Sequence, residues 1–152
     1  MTTLWKHAVD IKALNQNNEK IIHGALGIAV TAIGPDYLEG TMPVDHRTHQ
    51  PAGLLHGGAS AVLAESLGSI ASVMVAGIHE KTCVGIELNL SHLRGIRSGE
   101  VTGRATPIRI GQSIHVWEIK IWDSADPERN PICISRLTVM VRDRQSSPNS
   151  AR

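Results

Sequence analysis

The stretch from His56 to Ala76 limits what this chain can fold into more than any other. After two glycines, Gly57 and Gly58, it consists of small and aliphatic residues on every side, and Glu65 is its single charge. A helix that is apolar all round belongs inside a protein, covered on every face. At about 1.5 Å per residue it would run roughly 30 Å, enough to cross a small domain. The bare backbone N–H groups at its glycine start carry partial positive charge and favour an anion or a developing oxyanion. Glu65 stands about two turns further in. A lone carboxylate in such surroundings is costly unless it is paired or used in chemistry.

What must cover this helix is read from the flanking segments. Asp10 is placed to cap a short helix from Ile11 to about Asn18, with Ile11, Leu14 and Asn15 on one face. Leu26, Ile28, Val30 and Ala32 alternate, which predicts a strand over Ala25 to Ile33. Gly34-Pro35-Asp36 is a turn into a second strand, Tyr37 to Val44. Asp45 to Leu55 is a loop carrying His46, His49, Gln50, Pro51 and Gly53.

Four further strands follow the long helix: Thr82 to Leu93, Val101 to Ile110, Ser113 to Trp122 and Ile132 to Val141. In the first, Val84, Ile86, Leu88 and Leu90 are expected on one face; in the third, His115, Trp117, Ile119 and Ile121 share a face. Their connections look too short for crossovers, so consecutive antiparallel pairing is expected. The implied architecture is α+β: six antiparallel strands curved around one long central helix, in a single domain over residues 1–142. Residues 143–152 read as a polar tail.

Composition narrows the function classes. The chain has 152 residues and a formal net charge of +1, which gives no electrostatic argument for nucleic acid or an anionic membrane. Four aromatics (Trp5, Tyr37, Trp117 and Trp122) and no Phe leave an aliphatic core. Cys83 and Cys133 sit singly in apolar runs, read as buried thiols rather than a disulfide or zinc site. Glu65 and the absence of basic anchors argue against a membrane span, and a cytoplasmic protein is expected. The spacing of His46, His49 and His92 with Glu87 matches no metal motif, so neither metal nor cofactor is expected.

Several short runs resemble one known family. They are Met42-Pro43-Val44-Asp45-His46-Arg47-Thr48, Gln50-Pro51, Gly53-Leu54-Leu55-His56-Gly57-Gly58 and Leu63-Ala64-Glu65-Ser66. Asn89, His92, Leu93, Arg94, Ser98 and Ser135-Arg136-Leu137-Thr138 extend the likeness, which runs from about Trp5 to Arg142. Together they are similar to the hotdog-fold acyl-CoA thioesterases, above all to the bacterial 4-hydroxybenzoyl-CoA and 1,4-dihydroxy-2-naphthoyl-CoA subgroup.

The resemblance implies that Glu65 is the catalytic carboxylate and that the Gly57 N–H serves the oxyanion hole. Gln50 and His56 would lie beside the thioester, and Ser69 near the carboxylate. Coenzyme A, as part of the substrate, would follow His92, Leu93, Arg94 and Gly95 together with Arg109, Gly111 and Ser113. Arg94, Arg97 and Arg109 suit its phosphates because a guanidinium donates paired hydrogen bonds. The family's active site lies between two subunits, and its usual assembly is a tetramer of two dimers.

The chemistry is consistent with these roles. Thioester hydrolysis develops negative charge on the carbonyl oxygen, which N–H donors at a helix start stabilise. The carboxylate either attacks the carbonyl or deprotonates a water. Two other readings share the fold: a dehydratase of 3-hydroxyacyl thioesters, and an acyl-CoA binding protein without turnover.

Overall fold

In a computed structural model, which describes residues 3–144, the long helix α3 (Gly57–Ala76) packs against one antiparallel sheet of six strands. Before it come α1 (Ile11–Asn18), α2 (Ile22–Leu26), β1 (Ala29–Ile33) and β2 (Leu38–Val44). After it come β3 (Lys81–His92), β4 (Gly99–Ile110), β5 (Ile114–Asp123) and β6 (Pro131–Asp143). The fold is the curved-sheet-and-helix α+β arrangement expected. Residues 145–152 of the polar tail lie outside the described part.

The packing explains why the helix is built of small residues. A Cβ on Gly68 would stand 2.5 Å from Leu137 Cδ2, so α3 settles onto β6 only without a side chain there. Leu63 and Leu67 fill the neighbouring space against β4, and both are fully buried with Ile119, Ile121 and Leu137 from the sheet. Each such side chain contributes about 1.5–3 kcal/mol on leaving water. Trp117 Nε1 donates to Ser72 Oγ at 2.7 Å, so a fully buried indole is paired within the core. Trp5 stacks on Trp117 with centroids 6.4 Å apart, and its own Nε1 donates to Gly34 O. The N-terminal segment is thereby fastened to the core.

Three expectations are corrected. First, the strand predicted over Ala25 to Ile33 begins only at Ala29; Ile22–Leu26 forms α2, ended by Gly27 at φ 70. Left-handed backbone of this kind favours glycine and stops a helix.

Second, β4, β5 and β6 pair consecutively and antiparallel as expected, but β3 does not pair with β4. The order is β1-β2-β4-β5-β6-β3, so β3 bonds to β6 at the far edge, and the chain from His92 to Gly99 crosses the end of the sheet.

Third, Val84 and Ile86 do not share a face with Leu88 and Leu90. The β3–β6 register shifts between Gly85 and Glu87, leaving Ile86 as an extra residue. Such a bulge turns the strand over. Leu88 and Leu90 pack on the core, whereas Val84 and Ile86 are 46% and 53% exposed. On β5 the alternation holds: His115, Trp117, Ile119 and Ile121 are all buried.

Candidate active site

The segment from Asp45 to Leu55 sets the start of α3. Thr48 Oγ1 donates to Pro43 O at 2.8 Å, and His56 N donates to Thr48 O. Arg47 donates to both oxygens of Asp45 and holds that carboxyl below the usual carboxylate range. Leu55 N donates to Ile96 O, and His49 Nε2 meets Arg97 O at 2.8 Å, so the crossing chain between β3 and β4 is tied to this loop.

His56 is the N-cap of α3. Its Nδ1 accepts the Gly58 N–H at 2.7 Å, which leaves Nε2 to carry the proton of the neutral ring. The Gly57 N–H, first in the helix, has no acceptor among the described residues. Gln50 Oε1 accepts from Ala52 N at 2.6 Å, which leaves its amide hydrogens to donate elsewhere. His92 closes over the glycine: a Cβ on Gly57 would lie 2.7 Å from its Nε2.

Gln50, Gly57 and His92 line one cleft of about 370 Å³ with Leu93, Arg94, Gly95 and Ser60, whereas His56 caps the helix without lining it. It brings together Gln50, Gly57 and the His92 to Gly95 part of the expected nucleotide path. Ser60, buried, also lines this cleft and is not singled out by the sequence reading; its place one turn after Gly57 is the sequence signal for it. Arg94 is half-exposed, 3.8 Å from Asp126, while Arg97 donates to Ala52 O and so braces the loop.

Glu65 and Ser69 lie elsewhere on the helix. Ser69 Oγ donates to Glu65 Oε1 at 3.3 Å. The carboxylate rests against Gly85 of β3, where any Cβ would collide with Oε1. Glu65 stands eight positions after Gly57, or about 12 Å along the helix axis. An attacking carboxylate must come within about 3–3.5 Å of the carbon whose oxygen such an N–H holds, a much shorter spacing than this.

Arg109, Gly111 and Ser113 are also remote from the cleft of the same chain. His92 stands opposite Cys133, which stands opposite Ile121. The β4–β5 turn precedes Ile114, seven residues up that strand, or about 23 Å away. Among the described residues no three His, Cys, Asp or Glu side chains gather around one point.

Comparison with known proteins places the chain in a family. Residues 52–129 match the model of the thioesterase superfamily. A solved thioesterase of Haemophilus influenzae superposes with a TM-score of 0.90 at 45% identity, covering 97% of this chain and all of that one. The chain is 45% identical over 139 residues to the 1,4-dihydroxy-2-naphthoyl-CoA hydrolase of Escherichia coli, covering 91% of this chain and 98% of that protein. It is 44% identical over 139 residues to the proofreading thioesterase EntH of Cronobacter turicensis, again covering 91% and 98%. The chain belongs to the thioesterase superfamily, with the hotdog fold. It is an enzyme, a hydrolase of thioesters.

Proposed function

We propose that the protein hydrolyses acyl-CoA thioesters with a compact, aromatic acyl group, releasing the free acid and coenzyme A. One observation carries the reading: β3 provides a glycine, Gly85, where Glu65 needs room, and Ser69 steadies that carboxylate by a hydrogen bond. The name of the relative in Escherichia coli supports the substrate class, and that of the relative in Cronobacter turicensis supports thioester hydrolysis.

In this reading the thioester carbonyl oxygen accepts the free N–H of Gly57, with Gln50 and His56 beside it. Glu65 of a second copy supplies the carboxylate, which meets the separation of about 12 Å between the two groups in one chain. Glu65 either attacks the carbonyl carbon, expelling the thiolate and leaving an anhydride for water to open, or takes a proton from the attacking water. Both routes consume one water and yield one acid and one thiol.

His92, Leu93, Arg94 and Gly95 of one copy and Arg109, Gly111 and Ser113 of another would follow the coenzyme A. The exposed Val84 and Ile86 on edge strand β3 suit burial against that second copy, and two such dimers would form a tetramer. The free thiols Cys83 and Cys133 accord with a reducing, cytoplasmic setting.

The test is thiol release from benzoyl-CoA, a hydroxynaphthoyl-CoA and a medium-chain acyl-CoA by the wild type and Glu65→Gln. The variant should lose about 10²–10⁴-fold in kcat while remaining folded and associated. Equal rates in the two proteins would remove Glu65 from the mechanism. A wild type most active on the medium-chain ester would overturn the aromatic preference.

A further inference from the structure

The start of α3 keeps few donors for a ligand. Gly58 N donates to His56 Nδ1, and Ala59 N and Ser60 N both donate to His56 O. Of the N–H groups that open the helix, that of Gly57 is the one left without an acceptor among the described residues. The donors that stabilise a developing oxyanion include hydroxyl side chains as well as backbone N–H groups, so the neighbours of Gly57 on the cleft side decide what else can serve there.

Ser60 is that neighbour. It stands three positions after Gly57, about 4.5 Å along the axis and on an adjoining part of the helix surface. It is only 2% exposed, yet its Oγ has no hydrogen-bond partner among the described residues. A helical serine often turns its hydroxyl back to the carbonyl four residues earlier. Here that carbonyl is His56 O, which already accepts from Ala59 N and Ser60 N. The polar side-chain atoms sealed away without a partner belong to His23 and His115, so the Ser60 oxygen is unpaired but still open to the space beside it. That space is the cleft of about 370 Å³ that Ser60 lines with Gln50, Gly57 and His92. Helical Cβ atoms tilt toward the N-terminus, so the side chain leans back toward the level of Gly57. Buried polar groups in native proteins are paired as a rule, and a hydroxyl left free at a cleft asks for its partner from outside the chain.

We propose that Ser60 is a further catalytic residue: its hydroxyl donates to the thioester carbonyl oxygen, which the Gly57 N–H holds from a second side. The proposal rests on the thioesterase reading of the Gly57 cleft. Hydrogen bonds of about 2.9 Å from an N–H and about 2.7 Å from an O–H allow one oxygen to bridge donors roughly 5 Å apart. The oxygen gains negative charge as the carbonyl carbon is attacked and loses it as the thiolate leaves. The Ser60 hydroxyl keeps its proton throughout and contributes only the hydrogen bond. A neutral donor suits so buried a position, because a lysine or arginine there would have to shed its water to reach the same oxygen.

The experiment measures kcat and KM for thiol release from benzoyl-CoA, a hydroxynaphthoyl-CoA and a medium-chain acyl-CoA, with the wild type, Ser60→Ala and Ser60→Cys, and the unfolding midpoint of each protein. Ser60→Ala should lower kcat by about 10²-fold, the effect of losing one oxyanion donor, with KM within about threefold of wild type. Its midpoint should not fall, since alanine is the better helix former and the hydroxyl has no partner to lose. Ser60→Cys fills nearly the same space but donates weakly, and should also lose about tenfold or more in kcat. The proposal is overturned if Ser60→Ala keeps the wild-type kcat, if its loss falls on KM alone, or if Ser60→Cys restores the wild-type rate, which would mark a role in packing. It is overturned too if both variants lose activity together with a lowered midpoint. A wild type that releases thiol from none of the esters overturns the thioesterase reading itself, a failure distinct from turnover that is indifferent to Ser60.

Discussion

At Gly57 and at Gly85 one added side-chain carbon would meet a group of the proposed site. They fail for different reasons, and this separates two predictions. Gly57 is the first residue of α3, where proline is tolerated because its missing N–H has no helical partner. His56 already holds φ −71 and ψ 131, the conformation required before a proline. Gly57→Pro should therefore keep the helix and delete the donor, while its Cβ pushes the His92 ring aside, with a fall of about 10²–10³-fold in kcat. A wild-type rate in a folded Gly57→Pro protein would exclude this N–H from the oxyanion hole. Gly85→Ala drives a methyl into Glu65 Oε1 and should displace the carboxylate. The expected result is a loss of kcat of about 10²-fold, since a small misplacement of a reacting group is enough for that, with the protein still associated. Retained activity would show that Glu65 can work from another rotamer.

At the scale of elements, β5 and β3 show where alternation can be trusted. On β5 the period of two runs unbroken, and His115 lies, as that period predicts, on the same face as Trp117, Ile119 and Ile121. Burial lowers the His115 pKa from 6.5, partly opposed by a hydrogen bond with the Gly111 backbone. A depressed histidine is protonated more readily in the unfolded chain, so its destabilising effect is absent above about pH 6.5 and grows as pH falls through that value. Unfolding midpoints in denaturant should drop between pH 7 and pH 5, and His115→Gln should flatten that slope. An unchanged slope would mean that other groups govern acid sensitivity in this range.

On β3 the alternation misleads, because Ile86 is inserted as a bulge and the residues before it change face. No residue type announces the bulge. Its reason is tertiary: it lets Gly85 face Glu65 while Leu88 and Leu90 still reach the core. The short α2 is hidden similarly, since Leu26 and Ile28 continue a strand-like alternation that Gly27 in fact interrupts.

For the whole molecule, the question is how a carboxylate and an N–H about 12 Å apart on one helix come to act on one thioester. If each site takes Glu65 from one copy and Gly57 from the other, inactive Glu65→Gln and Gly57→Pro proteins should complement. In a hybrid of the two, one site carries both substitutions and the other carries neither. Co-refolding equal amounts should recover about one quarter of wild-type activity per site, as expected for random pairing in a two-fold dimer. No recovery, with hybrids demonstrated by mass, would place both groups in the same copy.

The helix from Gly57 to Ala76 is legible in the order of residues alone, because a segment apolar on all sides has only one stable place, under a sheet that wraps it. The isolated Glu65 and the glycine start are legible for the same local reason: a charge in an apolar run and unpaired N–H groups are anomalies that stand out in one dimension. Strand order is not, since whether β3 bonds to β4 or to β6 depends on which edges meet once the sheet has curved around the helix. Nor is the meeting of Glu65 with Gly85, which depends on the bulge that turns β3. Patterns carried by neighbouring residues follow from the sequence, whereas contacts between distant residues depend on three-dimensional closure, which sets which side chains are left unsatisfied and what they can bind.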